Sequence, residues 1–276
     1  NLDSKTKETI VDYTKKLAKA LKIKGLFNIQ FVMDQNGKVY VIEVNPRASR
    51  TVPMMSKITG IPMVNVATRL IMGSTLSELG YASGLAKESE FYAVKAPVFS
   101  FAKLTTVDTF LGPEMKSTGE VMGVDKDFHK ALFKALTASG IKIPSGGTVL
   151  FSIADRDKEK AVDIARKLMG LGYRLVGTEG TYSAMKRSGI DIDKIPKEDV
   201  VDNIRNGKIN MVLNTPNRGK IPDKFGFVLR RTSMEYNIPC ITSLDTINAM
   251  LEVLSRSINE KDTEIYSLDK YCKRQI

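Results

Sequence analysis

The chain has 276 residues, with 42 Lys or Arg, 31 Asp or Glu and one His, so its formal net charge is +11. This length predicts about two domains, and 42% apolar with 26% charged residues is typical of a globular protein. Two cysteines and one histidine exclude a disulfide framework and a His-rich zinc site.

The positive charge is interleaved with acidic residues, as in residues 155–160, which is typical of a solvated face. No zinc finger or Arg–aromatic repeat occurs, so we predict no nucleic-acid partner and expect small phosphorylated ligands instead. No apolar run approaches the ~20 residues of a membrane helix, and the first residues have no signal layout. We therefore predict a cytoplasmic location and no membrane partner.

The first third of the chain reads as a helix followed by a hairpin. Residues 8–22 carry apolar side chains at three- and four-residue steps, which predicts a helix. Two strand-like runs follow at 26–33 and 38–45, and the Asn36-Gly37 pair between them predicts a two-residue turn. In that register Gln35 pairs with Lys38.

The same register predicts a cluster of oxygen ligands. Gln30 faces Glu43, and Asn45 shares the face of Glu43 because strand side chains alternate. Cross-strand neighbours lie only ~5 Å apart, so the three side chains converge. One carboxylate with amide oxygens suits magnesium beside nucleotide phosphates, and Arg47 and Arg50 follow at once for phosphate oxygens. A hairpin edge whose polar residues are merely solvated is the alternative.

The middle of the chain has weaker patterns that lead to a linker. Residues 62–72 are predicted to be a helix, a strand-like run lies near 94–101, and a second helix is predicted over 127–139. The Pro- and Gly-containing segment 143–147 is the linker candidate.

After this linker, strands and helices alternate, which predicts a doubly wound α/β domain with a parallel sheet. The predicted strands are 148–153, 173–177, 209–213 and 239–241, and the predicted helices are 158–169, 182–187, 200–205, 225–236 and 244–257.

Hydroxyl and amide side chains follow four of these strands, where open α/β sheets bind ligands. They are Ser152, Thr178 with Thr181, Asn214 with Thr215 and Asn217, and Thr242. Thr181 stands just before a predicted helix whose N–H groups can hold an anion, and residues 217–231 contain five basic side chains against one acidic. Each polar residue could be a helix cap; together they predict a phosphate or carboxylate pocket.

Two sequence blocks resemble a known family. The strand and loop that include Glu43, Asn45, Arg47 and Arg50 resemble the metal-binding strand of ATP-grasp enzymes, and more narrowly the second synthetase half of the carbamoyl phosphate synthase large subunit. The match continues at 56–60 and at 111–123.

This resemblance implies roles for the hairpin residues. Gln30, Glu43 and Asn45 would bind Mg²⁺ or Mn²⁺, with Gln30, Glu43 and Arg47 also contacting ATP. Arg47 and Arg50 would be the catalytic arginines on the phosphate side, in a site that phosphorylates carbamate.

The second half is similar to the methylglyoxal-synthase-like (MGS-like) regulatory domain that ends the same subunit. The similar blocks are 151–153 with 157–160, 177–181 and 214–217. The resemblance implies an allosteric nucleotide effector (UMP, IMP or PRPP), and its contacts are Ser152, Lys158, Thr178, Thr181, Asn214 and Lys194, with Lys197 as the alternative to Lys194.

The implied fold class is α/β in two domains. Residues 1–142 would be the C-terminal part of an α+β ATP-grasp domain with a trailing helical segment, and 143–276 the MGS-like allosteric domain. The implied function is that of a glutamine-hydrolysing carbamoyl phosphate synthase in pyrimidine and arginine biosynthesis, oligomeric and partnered by a glutamine amidotransferase small subunit. Because an ATP-grasp site needs further preceding domains, the 276 residues alone are predicted to be inactive. A stand-alone nucleotide-binding regulatory module without catalysis is the alternative.

Overall fold

The computed structural model describes residues 2–86, 88–101, 103, 108–111, 114–216 and 224–267. These residues form two compact units, one with the described residues up to 90 together with 265–267, and the other with those from 91 to 264. No helix in the described ranges is both long and apolar enough to cross a membrane.

The first unit contains three helices and a two-stranded hairpin. Its elements are α1 (Ser4–Ala20), β1 (Asn28–Met33), β2 (Val39–Asn45), α2 (Val52–Thr59) and α3 (Met63–Ile71). The predicted first helix is confirmed but begins earlier, because the Asp3 side chain accepts a hydrogen bond from the Thr6 N–H (2.7 Å) and caps the free amide groups. The helix predicted over 62–72 is α3. The sequence analysis did not predict α2, which ends at Gly60 in the left-handed conformation (φ 70°).

Strands β1 and β2 pair antiparallel with Gln30 opposite Glu43, as predicted. The predicted two-residue turn is wrong: Asp34, not Gln35, pairs with Lys38, since the Asp34 N–H donates to the Lys38 carbonyl (3.0 Å). The cause is the Asp34 carboxylate, which accepts from the N–H groups of Asn36 and Lys38 (2.9 Å each) and fixes a longer loop.

The longer loop does not shift the pairing at Gln30, because a β-bulge compensates for it. Gln30 pairs with Glu43 but Phe31 pairs with Val41, so Ile42 is an extra residue on β2. The one-residue slip made at the turn is therefore reversed before the strand reaches Glu43.

The second unit is built on the predicted parallel sheet. Its elements are β3 (Tyr92–Val98), β4 (Gly119–Asp125), α4 (Phe128–Ala138), β5 (Thr148–Ser152), α5 (Lys158–Gly170), β6 (Arg174–Gly177), α6 (Glu179–Arg187), β7 (Asp193–Lys194), α7 (Lys197–Arg205), β8 (Met211–Asn214), α8 (Lys224–Glu235), β9 (Cys240–Ile241) and α9 (Leu244–Leu254). The sheet order is β7-β6-β5-β8-β9, and all its neighbours are parallel. The sequence analysis predicted neither β4 nor the two-residue β7.

Both faces of this sheet are covered, which confirms the α/β fold class. Val149 and Phe151 of β5 pack with residues of α4, α5, α6 and α9, whereas Leu150 between them packs with α7 and α8. Alternate residues of one strand thus enter two different cores.

Strands β3 and β4 form a separate antiparallel pair against which α4 lies. At Gly123 the helix is so close that a Cβ atom would stand 2.0 Å from the carbonyl oxygen of Ala131. Leu132 and Leu136 of α4 enter the core beside β5. The described residues between 91 and 142 therefore pack as part of the second unit. The predicted domain boundary between 142 and 143 stays a prediction.

Candidate functional site

The hairpin brings the three predicted oxygen-bearing side chains together. The Asn45 amide nitrogen donates to the Glu43 carboxylate (2.8 Å), so both lie on one face of β2, and Gln30 stands opposite Glu43 on β1. Glu43 and Gln30 are exposed, and Asn45 is half-buried. Since Asn45 uses its nitrogen in this bond, its carbonyl oxygen keeps its lone pairs for a cation.

This donor set fits a hard divalent cation. It offers one carboxylate and two amide oxygens, the ligand types that Mg²⁺ and Mn²⁺ accept alongside water and phosphate oxygens. Within the described ranges there is no group of three or more His, Cys, Asp or Glu side chains that could hold a metal ion. The candidate metal site of the first unit rests on the carboxylate and the two amide oxygens of the hairpin.

The two predicted phosphate-side arginines follow the hairpin and are exposed. The Arg47 N–H donates to the Asn45 carbonyl (2.8 Å), and its guanidinium donates to the Ala48 carbonyl (3.1 Å). Arg50 stands in the turn before α2. Arg47 is thus tied by its backbone to the last residue of the oxygen cluster.

The predicted strand-end residues of the second unit also meet at one edge of the sheet. Ser152 is opposite Asn214 in the pairing of β5 with β8. The Thr178 N–H donates to the Phe151 carbonyl (3.1 Å), and Thr178 is the N-cap residue of α6. Three strand ends and the start of one helix therefore surround one location.

Two buried hydroxyls hold the loop after β5 in this location. The Thr181 hydroxyl accepts from the Ile153 N–H (3.0 Å), and the Thr215 hydroxyl accepts from the Ala154 N–H (2.8 Å). Both threonines are buried, so losing either hydroxyl would leave an unpaired backbone donor. Thr181, predicted as an effector contact, thus has a structural task in addition.

Lys158 lies at the first turn of α6. The Lys158 ammonium pairs with Asp155 (2.5 Å) and stands 3.2 Å from where a Cβ on Gly180 would be. Its hydrogen bond and charge lower the pKa of the Asp155 carboxyl. Such a cation at a helix N-terminus adds to the attraction of the free N–H groups for an anion.

The structure distinguishes the alternatives Lys194 and Lys197. Lys194 forms an ion pair with Glu179, the first residue of α6, and this contact raises the pKa of the Lys194 ammonium. The Lys197 ammonium instead stands over the ring of Phe225, 5.3 Å from its centroid. Lys194 thus contacts the first residue of α6, whereas Lys197 does not have this contact, and the role of Lys194 as an effector contact stays a prediction.

The sequence analysis missed the role of Arg230. It counted Arg230 among the basic side chains of residues 217–231, but the side chain is buried, and its Nη1 donates to the Asn214 Oδ1 (2.6 Å). Its Nε and Nη2 donate to the two oxygens of Asp108 (2.8 and 2.5 Å). Burial alone would raise the pKa of Asp108, but these bonds outweigh it and the pKa is lowered.

A second arginine that the sequence analysis missed is Arg156. Its Nη2 donates to the Pro216 carbonyl (2.7 Å), which ties the loop after β5 to the end of β8. The rest of the basic segment, from 217 to 223, lies outside the described residues.

Comparison with protein families gives two matches along the chain. Residues 1–79 match the family described as carbamoyl-phosphate synthase L chain, ATP binding domain. Residues 160–242 match the family described as MGS-like domain. The three oxygen-bearing residues Gln30, Glu43 and Asn45, called the hairpin cluster below, lie within the first match. Thr178, Lys194 and Asn214 lie within the second.

Comparison with solved structures finds weak similarities, each over about half of the chain. A methylglyoxal synthase from Elizabethkingia anophelis NUHP1 is 18% identical with a TM-score of 0.35, over 49% of this chain and 95% of that chain. The biotin carboxylase domain of a single-chain bacterial carboxylase is 23% identical with a TM-score of 0.39, over 50% of this chain and 38% of that chain. A structure described as ForH is 15% identical with a TM-score of 0.30, over 48% of this chain and 92% of that chain.

Proposed function

We propose that the chain works in a glutamine-hydrolysing carbamoyl phosphate synthase. It matches a carbamoyl-phosphate synthase ATP-binding domain and then an MGS-like domain. This is the order of the domains in the C-terminal segment of that enzyme's large subunit. In this proposal the chain contributes side chains to an ATP-dependent ligase site that phosphorylates carbamate, and it binds a nucleotide effector. The protein would be cytoplasmic and oligomeric, with a glutamine amidotransferase small subunit as partner, and would serve pyrimidine and arginine biosynthesis.

The observation that carries the catalytic part is the hairpin cluster. Gln30, Glu43 and Asn45 would hold Mg²⁺ or Mn²⁺, which when bound supplies positive charge to the terminal phosphates of ATP during phosphoryl transfer. Arg47 and Arg50 would contact phosphate oxygens, because a guanidinium offers two parallel N–H donors to such a group.

These side chains are presented on the surface of a two-stranded hairpin and the loop after it. Phosphoryl transfer requires a nucleotide that is held and shielded from water. We therefore expect that residues 1–276 by themselves give no ATP turnover with bicarbonate and ammonia, and ATP hydrolysis by the purified chain at enzymatic rates would contradict this.

The metal site is tested by titrating Mn²⁺ into the 276-residue chain and following the free ion by its electron paramagnetic resonance signal. Glu43→Gln removes the one charged ligand while keeping the shape, and we expect roughly tenfold weaker Mn²⁺ binding. Glu8→Gln, on the exposed surface of α1, is the matched control and should leave binding unchanged. Equal binding by the wild type and Glu43→Gln would overturn the metal site.

The observation that carries the regulatory part is the strand-end pocket, the location surrounded by the ends of β5, β6 and β8 and by the start of α6. Lys158 and Lys194 lie at the first turn of α6, whose N-cap residue Thr178 stands at the end of β6. Cations, hydroxyls and free helix N–H groups in one location suit a phosphate group. The effector in this proposal is UMP, IMP or PRPP.

The effector is tested by calorimetric titration of UMP, IMP and PRPP into the 276-residue chain. Lys158→Gln should weaken the binding of the effective compound by roughly tenfold, because one charge-assisted hydrogen bond is lost. Lys167→Gln, at the other end of α5, is the control. If none of the three compounds binds, the pocket has a different ligand or none, and this part of the proposal fails.

The alternative is a nucleotide-binding regulatory module without catalysis. One observation favours it. Every described residue of the pocket lies in the second unit, whereas the hairpin lies in the first. Nucleotide binding combined with unaltered Mn²⁺ binding in Glu43→Gln would support this alternative over the ligase.

A further inference from the structure

The second unit contains a partly buried ion pair next to the pocket, between the buried Arg230 and the half-buried Asp108. The Arg230 side chain is 4% exposed and the Asp108 side chain 34%, and two N–H groups of Arg230 bind the two oxygens of Asp108. A third N–H of the guanidinium goes to the Asn214 Oδ1. A buried ion pair contributes little net stability because of its desolvation cost, so its retention calls for a positional explanation.

Arg230 determines which way the Asn214 amide faces. An arginine can only donate hydrogen bonds, so the oxygen of the amide must face Arg230. The amide nitrogen then faces the Ser152 carbonyl (3.1 Å), which accepts one of its two N–H groups. The Asn214 side chain is buried, and its nitrogen carries a second N–H at the ends of β5 and β8.

Asp108 is in turn held in place by its own segment. Its Oδ1 accepts from the Phe110 N–H (3.0 Å), and the Lys116 ammonium donates to the Phe110 carbonyl (2.6 Å). The neighbouring Arg231 donates to the Phe101 carbonyl (2.9 Å). Two consecutive arginines of α8 thus bind Asp108 and Phe101, which follow β3 in the chain.

We propose that Arg230 is a positioning residue of the anion pocket, and that Asp108 holds it there so that Asn214 presents an N–H group to the bound anion. The inference rests on the proposed effector-binding function and names how one contact of that site is oriented. Because linkage is reciprocal, an anion that binds Asn214 also strengthens the grip of Arg230 on Asp108.

The test is a double-mutant cycle on the affinity of the 276-residue chain for inorganic phosphate, followed by calorimetry. Asp108→Asn removes the charge that holds Arg230 and places a donor against its N–H groups. We expect phosphate to bind roughly fivefold to tenfold more weakly. In an Asn214→Ala background the same substitution should have no further effect, since the contact it orients is gone.

Asp125→Asn is the matched control, because it also breaks a partly buried ion pair, with Lys134 (2.7 Å), in the same unit. It should lower stability without changing phosphate affinity. If Asp108→Asn and Asp125→Asn bind phosphate as tightly as the wild type, Arg230 is structural only and this inference is overturned. If the wild type binds neither phosphate nor any of the three nucleotide effectors, the pocket and this inference fail together.

A measurement on the wild type covers the case in which Asp108→Asn does not fold. The side-chain amide of Asn214, assigned by ¹⁵N correlation spectra against Asn214→Ala, should show one N–H signal that moves on phosphate addition and one that keeps its position. An amide pair that does not respond to saturating phosphate would overturn the inference.

Discussion

The hairpin cluster and the strand-end pocket are built in opposite ways. The hairpin places its side chains within residues 30–50, mostly in contact with solvent. The pocket joins strand ends that are distant along the chain, and its neighbour Asp108 is 122 residues from Arg230. Polar groups at the surface can be satisfied by water, whereas buried ones need protein partners.

The buried polar side chains meet this requirement. Every buried side-chain nitrogen or oxygen in the described part of the chain has at least one hydrogen-bond partner. The comparison teaches that a substitution in the pocket should cost folding stability as well as binding, whereas a substitution in the hairpin cluster should cost binding alone. The expected effects below follow this difference, and each could contradict it.

The largest effect is expected for Arg230→Ala, which leaves Asp108 and the Asn214 oxygen without their buried donor. We expect the free energy of unfolding of the second unit to fall by about 3–5 kcal/mol, measured by urea denaturation. Arg205→Ala, an exposed arginine of α7, should change it by less than about 0.5 kcal/mol. Equal losses for the two variants would remove the distinction between the pocket and a surface.

Thr181→Val should have the next largest effect. The substitution keeps the shape but leaves the Ile153 N–H unpaired in the interior, at a cost of about 1–3 kcal/mol. The control is Thr137→Val on the exposed side of α4, where water replaces the lost hydroxyl. A Thr181→Val protein as stable as the wild type would show that water reaches this hydrogen bond.

Acid should destabilise the second unit through its paired carboxylates. The pKa values of Asp108 and Asp125 are lowered in the folded chain because hydrogen bonds from Arg230 and Lys134 outweigh burial. Their stabilising contribution is therefore fully present above the unfolded pKa of about 4 and is lost as the pH falls through the lower folded values.

The measurement is the urea midpoint of the wild type and of Asp108→Asn between neutral pH and pH 3. The variant should lose less stability than the wild type over this interval, because it has one linked proton fewer. Parallel curves would mean that Asp108 titrates alike in the folded and unfolded chains.

The smallest effect on stability is expected for Glu43→Gln. The carboxylate is exposed, and a glutamine oxygen can still accept the hydrogen bond that the Asn45 amide nitrogen donates to it. The free energy of unfolding should change by less than about 0.5 kcal/mol, even though Mn²⁺ binding falls. A larger loss would place the hairpin cluster in the same class as the pocket.

The two strands of the hairpin could be predicted from local alternation and the Asn-Gly pair. The predicted pairing of Gln30 with Glu43 is right only because two departures from the predicted register cancel. The two-residue turn failed because the Asp34 carboxylate organises a longer loop, and the bulge at Ile42 corrected the register. No sequence pattern predicts the longer loop at Asp34 or the bulge at Ile42.

The pocket could be predicted only in part. Alternating strands and helices place Ser152, Thr178 and Asn214 at one sheet edge, because parallel strands end on the same side. The burial of Arg230 could not be foreseen, since a charged residue in a basic segment is normally solvated. Its partner Asp108 lies in another part of the chain, and only the packed fold brings the two together.

The bulge at Ile42 has a practical consequence for engineering the hairpin. It separates the strand segment near the loop from the segment that carries Glu43, since the pairing changes by one residue between them. An insertion at the loop tip, for example a short epitope between Asn36 and Gly37, should thus be absorbed on the distal side. Labels could be attached there while the ligand end of the hairpin keeps its geometry.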